Sequence, residues 1–370
     1  LTTRLRISRT TDLSAATVTN LVSELIQEKI ISESGSIDWA GGRPTTLLSP
    51  NSTYGYFIGI DVGETQIQYE LFDFSLKPLF NLKRPITESS VSAEFVINSI
   101  ISDVNDLLST KKIMHKDIVG LGVGLPGVVD QISGISVFAP NWGWRNIMLA
   151  QELSDNFNFP VYIDNGAKGM ALAEAWFGAG KGLDDLAVLL IGTGVGAGII
   201  TEGHLYRGIS NSAGEWGHTK IERNGRKCRC GSLGCLEAYI GAPGIIERYQ
   251  EEAPLFAFPS SDQTMSIQHI IDEAQEGNQK AQKVIDETSE YLGIGISNLI
   301  NLFDPQKVII GGWVGTQIGS LALDKIISSA REYSLSQVFN KAEIGLCKLG
   351  PDAVALGAAT LAFERFIELV

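Results

Sequence analysis

The chain has no apolar run long enough to cross a bilayer, which takes about 20 residues. The longest, Leu186 to Ile200, is broken by four glycines and a threonine, which excludes a membrane helix there. No signal peptide opens the chain, and because it begins at Leu1 rather than Met, part of the native start is expected to precede it. Cysteine is scarce, four in 370 residues, so a secreted disulfide scaffold is excluded and a reducing cytoplasm is expected. Positive charge is also short: 29 Lys and Arg against 42 Asp and Glu give a net charge of −13. An acidic body repels a phosphate backbone, so any nucleic-acid contact must be confined to a local segment. With 44% hydrophobic and 8% aromatic residues, what remains is an ordinary globular composition with room for two or three domains.

The cysteines that are present are clustered. Cys228, Cys230 and Cys235 fall within GEWGHTKIERNGRKCRCGSLGCLE, residues 214–237, with His218 ahead of them. Three thiolates converging across a glycine-bearing turn, completed by one imidazole, form the closed tetrahedral set that structural zinc prefers. Three reduced thiols on a surface loop are the plainer alternative. Cys347 stands apart and reads as a buried thiol. A clip that fixes His218 also fixes Glu215 and Glu237, and the ligand is expected beside them.

The charge deficit lies wholly beyond residue 50, because residues 1–50 hold five basic and five acidic side chains. Arg4, Arg6 and Arg9 occur there with no acid among them. Thr2 to Arg9 reads as a short helix, and Ser14 as the N-cap of a second running from Ala15 to about Lys29. Val18, Leu21, Val22, Leu25 and Ile26 give that helix one apolar face, while Thr17, Thr19, Asn20 and Ser23 line the other. Ile30 to Glu33 reads as a strand, Ser34 to Ser36 as a turn, and Thr45 to Leu48 after Gly41-Gly42-Arg43-Pro44 as a second strand. The pattern is that of a winged helix-turn-helix, with Arg4, Arg9, Ser14, Ala15, Thr17, Asn20 and Arg43 as candidate DNA contacts. A small helical cap with a hairpin is the competing reading. A further helix is expected ahead of Thr2.

Beyond residue 50, strands are expected over Tyr54–Ile60, Gln66–Phe72, Ile118–Leu125, Pro160–Ile163, Leu186–Ile191 and Val308–Ile310. The turn Asp61 to Thr65 could cradle phosphate through its backbone N–H groups. Asn141 lies in a loop with Trp142 and Trp144, suited either to a sugar or to packing. Four alternating glycines from Gly192 to Gly198 allow either close ligand approach or tight strand packing. Asp164 or Asn165 caps a following helix, helical repeats occupy Ile267–Gln275 and Lys280–Phe303, and Ala353–Val370 forms a closing helix.

Taken together, Gly194 to Gly198, Gly208, Ala213-Gly214, Gly217-His218 and the stretch CRCGSLGCLE resemble the signature and zinc knuckle of the ROK family of repressors, open reading frames and sugar kinases. Asp61 to Thr65 resembles that family's first phosphate loop, and Gly311-Gly312 its adenosine loop. The resemblance covers nearly the whole chain. It implies an α/β protein in which the winged helix-turn-helix, residues 1–50, precedes a two-lobed actin-like ATPase fold. The first lobe would span 51–165, joined by the closing helix 353–370, and the second 166–352.

Two departures bear on function. Family kinases carry Glu-Asn-Asp, whose Asp takes the proton of the sugar hydroxyl; here the residues are Asp164-Asn165-Gly166. Loss of a positioned base typically costs about 10²–10⁴ in rate. Glu64 stands where the kinase loop has glycine, and its charge would repel a γ-phosphate. Asn165, Glu215, His218 and Glu237 still match sugar-contacting positions. The resemblance therefore implies a sugar-responsive regulator of the repressor branch, not an enzyme, with structural zinc and no ATP. Operator DNA, a monosaccharide or amino-sugar effector and a second or fourth copy of the chain are its expected partners. An ATP-dependent hexose or hexosamine kinase is the rival, and a zinc-stabilised scaffold a third reading.

Overall fold

The computed structural model describes residues 1–37, 44–86, 91–258 and 262–369. Two helices open the chain, α1 (Arg4–Thr11) and α2 (Ala15–Gln27), followed by an antiparallel ribbon of β1 (Ile31–Ile37) and β2 (Thr45–Pro50). Ser14 caps α2 as expected, its side chain accepting from the Thr17 amide. Two expectations need correction. Ser34 to Ser36 form no turn but lie within β1, where a register break between Glu33 and Ser36 absorbs the flexibility that Gly35 signalled. Leu21 is 45% exposed and does not join Val18 and Val22 in the core with Leu48. The ribbon gains a third member, because Thr2 pairs with Leu48 through two backbone hydrogen bonds of 3.0 and 2.8 Å.

The first large sheet uses β3 (Tyr56–Val62), β4 (Gln66–Asp73), β5 (Pro78–Pro85), β6 (Ile118–Leu125) and β10 (Val161–Asn165), in the order β10-β6-β3-β4-β5. The middle strands, β6 above all, are almost wholly buried, as strands covered on both faces must be. Helix α3 (Ala93–Lys111), capped by Ser92, precedes β6. A small antiparallel sheet, β7 (Val128–Asp130), β8 (Ile135–Ala139) and β9 (Trp144–Ile147), and helix α4 (Leu149–Ser154) come between β6 and β10.

Helix α5 (Gly166–Trp176) then leads to the second sheet. Its strands are β11 (Leu186–Ile191), β12 (Val195–Thr201), β13 (His204–Leu205), β14 (Lys307–Gly311) and β15 (Glu343–Leu346), ordered β13-β12-β11-β14-β15. Helices α6 (Glu237–Ile240), α7 (Ala242–Glu252), α8 (Gln263–Gln275) and α9 (Gln279–Phe303) lie between β13 and β14; α10 (Trp313–Tyr333) and α11 (Ser336–Phe339) precede β15. Asp304, in the left-handed region at φ 44°, and Pro305 end α9 as the sequence led one to expect.

Helix α12 (Ala353–Leu369) returns from the second sheet and packs on β3, β6 and α5. The approach is close because the floor is glycine. A Cβ on Gly59 would sit 1.9 Å from the Ala355 carbonyl oxygen, and one on Gly122 1.8 Å from that of Ala358. Phe363 and Phe366 near the end of α12 meet Phe74, Phe57 and the half-buried Leu25 of α2 in one aromatic cluster with Ile30. That cluster joins the N-terminal unit to the body.

Where α12 begins, Gln68 donates to both Glu70 Oε1 and Asp352 Oδ1, each at 2.7 Å. Burial, reinforced by the Asp352 carboxylate, pushes the Glu70 carboxyl up to about 7. Its folded value thus lies above its unfolded one, so Glu70 contributes most stability at low pH and loses it as pH rises through about 7. Glu70→Gln is expected to gain stability relative to the parent between about pH 5.5 and pH 8, read from urea midpoints. Gly122→Ala, which forces a methyl group against α12, should lose about 1–3 kcal/mol in the same assay.

Candidate functional site

A cavity of about 290 Å³ lies between the two large sheets, close to the lower end of the range of about 300–1,000 Å³ typical of small-ligand pockets. All five side chains expected to grip a ligand line it: Asn141, Asn165, Glu215, His218 and Glu237. Glu64, Asp61, Thr193, Gly194, Phe138 and Trp313 also line it. Burial pushes the Asp61 carboxyl up to about 7, with Lys83 opposing.

His218, Cys228, Cys230 and Cys235 form one cluster, their ligand atoms all within 4.8 Å of one another. Cys230 Sγ and Cys235 Sγ are 3.8 Å apart, and His218 Nδ1 is 3.7 Å from Cys228 Sγ. Ligands about 2.3 Å from a tetrahedral ion stand about 3.8 Å apart, so the arrangement fits a metal of zinc's size. The turn that makes it possible is glycine at Gly231 and Gly234, both at positive φ. His218 Nε2 faces the other way, 3.9 Å from Glu215 Oε2. Glu237 begins α6, and its Oε2 accepts from the Val195 amide at 3.0 Å while Oε1 stands 3.5 Å from Cys228 Sγ. Cluster and cavity therefore share a wall.

The alternating glycines divide between the two uses left open above. Added Cβ atoms at Gly196 and Gly198 would meet Ala167 and Ala171 of α5, so Gly198 serves packing while Gly196 both packs on α5 and lines the cavity. Gly194 instead faces Glu237, Glu64 and Arg229 at 3.6, 3.7 and 4.0 Å. Arg229, which the sequence reading passed over, comes from between two cysteines of the cluster and reaches Glu64 and Thr193, both of which line the cavity. Its Nη1 donates to Glu64 Oε2 at 2.9 Å and its Nη2 to the Thr193 carbonyl at 2.6 Å. Its position between two candidate ligands was the available signal: whatever fixes Cys228 and Cys230 fixes the residue between them.

Asp164 does not cap α5; Asn165 does, accepting from the Ala167 amide at 2.9 Å while donating to the Gly127 carbonyl at 2.8 Å. Asp164 is 3% exposed. Its Oδ2 takes Arg207 Nη1 at 2.5 Å, and its Oδ1 takes Asn211 Nδ2 at 3.0 Å and the Asn165 amide at 2.8 Å. Neither Arg207 nor Asn211 was singled out from the sequence, since a loop between strand and helix carries no pattern for a distant partner. Lys168, buried on α5, has its ammonium pKa lowered by desolvation, with the Asp164 and Glu215 carboxylates opposing. Gly166 lines the cavity without a side chain.

Several expected contributors lie elsewhere. Trp142 and Trp144 do not line the cavity; they pack on each other at 4.7 Å, and Trp144 Nε1 donates to the Val91 carbonyl, so both serve as packing anchors. Gly311 and Gly312 are also absent from the lining. Met170 fills the space beside Gly311, and the Ile191 backbone that beside Gly312. In the N-terminal unit Ala15, Thr17 and Asn20 are exposed on α2 and Arg9 on α1. Ser14 and Thr17 hydroxyls bond each other at 2.8 Å, and Arg4 pairs with Glu33. Arg43 lies outside the described residues.

The ROK family profile matches residues 57–365. Over 374 aligned residues the chain is 35% identical to the xylose repressor of Caldicellulosiruptor bescii, covering 98% of this chain and 92% of the relative. It is 32% identical to the xylose repressor of Bacillus subtilis, covering 99% and 92%, and 32% identical to a glucokinase of Halalkalibacterium halodurans, covering 84% and 96%. Among solved structures it resembles a ROK family transcriptional regulator, described as a homologue of the E. coli MLC protein, with TM-score 0.83, 26% identity and 99% and 92% coverage. It also resembles a ROK family glucokinase from Streptomyces griseus in complex with glucose and AMPPNP, with TM-score 0.73, 30% identity and 84% and 100% coverage. The glucokinase matches cover 84% of the chain and the repressor and regulator matches 98–99%, and the α/β body has the actin-like sugar-kinase architecture. The chain belongs to the ROK family.

Proposed function

We propose that this chain is a DNA-binding transcriptional repressor whose cavity binds a monosaccharide, with xylose the best-supported effector because relatives aligned over nearly its whole length are xylose repressors. The E. coli N-acetylglucosamine repressor, 28% identical over 90% of this chain, keeps an amino sugar in the comparison. The observation that carries the non-enzymatic reading is Asp164. It is the carboxylate next to the vacant base position at Gly166, and three hydrogen bonds hold it away from a substrate. The kinase reading draws on the glucokinase relative, but it needs a free base that Asp164 does not supply and a phosphate site that Glu64 and Arg229 fill.

In this reading Glu215 and Glu237 accept sugar hydroxyls, Asn141 and the remaining valences of Asn165 fix orientation, and His218 offers Nε2 to the sugar while Nδ1 ligates zinc. His218, Cys228, Cys230 and Cys235 would hold the ion, which supplies rigidity and no chemistry. Residues 1–50 form the winged helix-turn-helix, 51–165 with 353–370 the first lobe, and 166–352 the second. Arg9 and Arg4 serve phosphates; Asn20, whose amide has no hydrogen bond among the described residues, serves a base edge, with Ser14, Ala15, Thr17 and Arg43 around it. A homodimer or homotetramer in the cytoplasm would place two such helices about 34 Å apart on palindromic DNA. Sugar binding changes DNA affinity only to the extent that it prefers one lobe arrangement over the other.

Full-length protein should select a palindromic site from a random DNA library, and D-xylose should weaken that complex by about 5–150-fold in a mobility-shift titration. No change with any monosaccharide would overturn the effector assignment, and ADP release above background with hexoses would restore the kinase. Asn20→Ala should cost about 1–3 kcal/mol on the selected site and leave non-specific binding intact. Metal analysis should find one zinc per chain, and chelation or Cys230→Ser should lower the melting temperature.

A further inference from the structure

Glu64 first enters as an obstacle, a carboxylate where a phosphate would go. Its surroundings give it a further use. The side chain projects from the turn between β3 and β4 into the cavity, where Oε2 accepts from Arg229 Nη1 at 2.9 Å and Oε1 from Asn141 Nδ2 at 2.5 Å. Arg229 belongs to the cysteine cluster on the other side of the cleft, and its second amino group is already committed to the Thr193 carbonyl. Asn141 belongs to the turn between β8 and β9. Its Oδ1 is buried and has no partner among the described residues, although the residue lines the cavity. A carboxylate only accepts, so it takes the amide N–H and leaves the amide carbonyl as the end that faces a ligand. A buried acceptor with no donor is costly, and a ligand hydroxyl removes the cost.

We infer that Glu64 is a positioning residue of the sugar site, holding Asn141 so that its carbonyl oxygen receives a sugar hydroxyl and tying that contact across the cleft to Arg229. The inference rests on the reading of the cavity as a sugar site. A hydroxyl donated to Asn141 Oδ1 polarises the amide and strengthens its N–H bond to Glu64. Glu64 is then held where Arg229 reaches it, and the two sides of the cleft are joined through one continuous chain of hydrogen bonds. Sugar and bridge favour the same arrangement, so each strengthens the other by an equal factor. The chemistry also selects the ligand. Both amino groups of Arg229 are in use, and a phosphate directed at this corner would meet the Glu64 carboxylate. The occupant is an unphosphorylated sugar with a free hydroxyl at Asn141.

The test is calorimetric titration of the zinc-loaded full-length protein with D-xylose, D-glucose and D-glucose 6-phosphate, for the parent, Glu64→Gly, Glu64→Gln, Arg229→Ala and the Glu64→Gly/Arg229→Ala pair. The parent should bind a neutral sugar and not the phosphorylated one. Glu64→Gly should weaken binding about tenfold or more, and the double variant no further, because both changes break one bridge. Glu64→Gln, whose one carbonyl oxygen can still accept from Asn141 but no longer offers a second acceptor to Arg229, should bind between Glu64→Gly and the parent, a partial rescue that loss of folding would not produce. Two results overturn the inference while leaving the sugar reading intact: Glu64→Gly binding as the parent does, or losses at Glu64 and Arg229 that simply add. A parent that binds none of the sugars overturns the reading of the cavity and this inference with it.

Discussion

The packing of α12 against the glycines of the first sheet is the constraint on which the rest of the molecule depends. A helix normally stands about 10 Å from a sheet because side chains keep it there; here Gly59 and Gly122 remove those side chains, and α12 carbonyls occupy the space. On its other side Gly357 meets the Gly169 backbone of α5, where an added Cβ would lie 1.8 Å from the Gly169 oxygen. Close-packed interiors resist small displacements, so α12, α5 and strands β3 and β6 are held as one block. That block sets three functional positions. Val354 at the start of α12 lines the cavity, Gly166 and Asn165 open α5 at the same cavity, and Phe363 and Phe366 at the far end meet the cluster that holds α2. At 1.5 Å per residue the 17 residues of α12 cover about 25 Å. A rigid element that long, touching both the cavity and the N-terminal unit, gives a ligand a physical route to α2, which carries the proposed DNA-reading residues.

The second sheet joins that block through a buried apolar cluster in which α5 and the start of α12 pack on β11, β12 and β14, and across the cleft the two sides meet through a few polar contacts. Arg229 to Glu64 is one, and the Asp164, Arg207 and Asn211 group is another, with Asn211 also donating to the Val129 carbonyl at 2.9 Å. Polar contacts of this kind are directional and can be remade, whereas the apolar clusters on either side are each continuous and large. The polar groups that line the cleft are the ones that a ligand can bias.

What could be read from the amino-acid order follows from how local each signal is. The cysteine cluster was legible because three cysteines and a histidine at short spacing have few other uses, and the four do converge. Strands β6 and β11 were legible with their boundaries, since buried runs flanked by turns leave little choice. Asn141 and Glu215 were reached from loop chemistry and from nearness to the cluster. The tryptophans beside Asn141 were not separable in advance: an indole packs or stacks with the same chemistry, and only the fold shows Trp144 bonded to Val91. The turn expected at Ser34 to Ser36 failed because glycine marks a bulge as readily as a turn. The pairing of Glu64 with Arg229 joins residues 165 apart, and no local rule connects charges at that distance.

In the proposed non-enzymatic reading, the same polar groups account for a kinase scaffold kept without its reaction. A sugar kinase needs a base at the hydroxyl and an electropositive cradle for phosphate. In that reading Gly166 leaves the first position without a side chain, and Asp164, two residues away, is buried and paired with Arg207. The second is lost through Glu64, yet the arginine that could have served a phosphate is not left unpaired: it is held by that same carboxylate. In the proposed reading the Arg229 charge is balanced within the protein by Glu64, so the cavity needs no second substrate to join its two sides and the sugar alone would decide whether they meet.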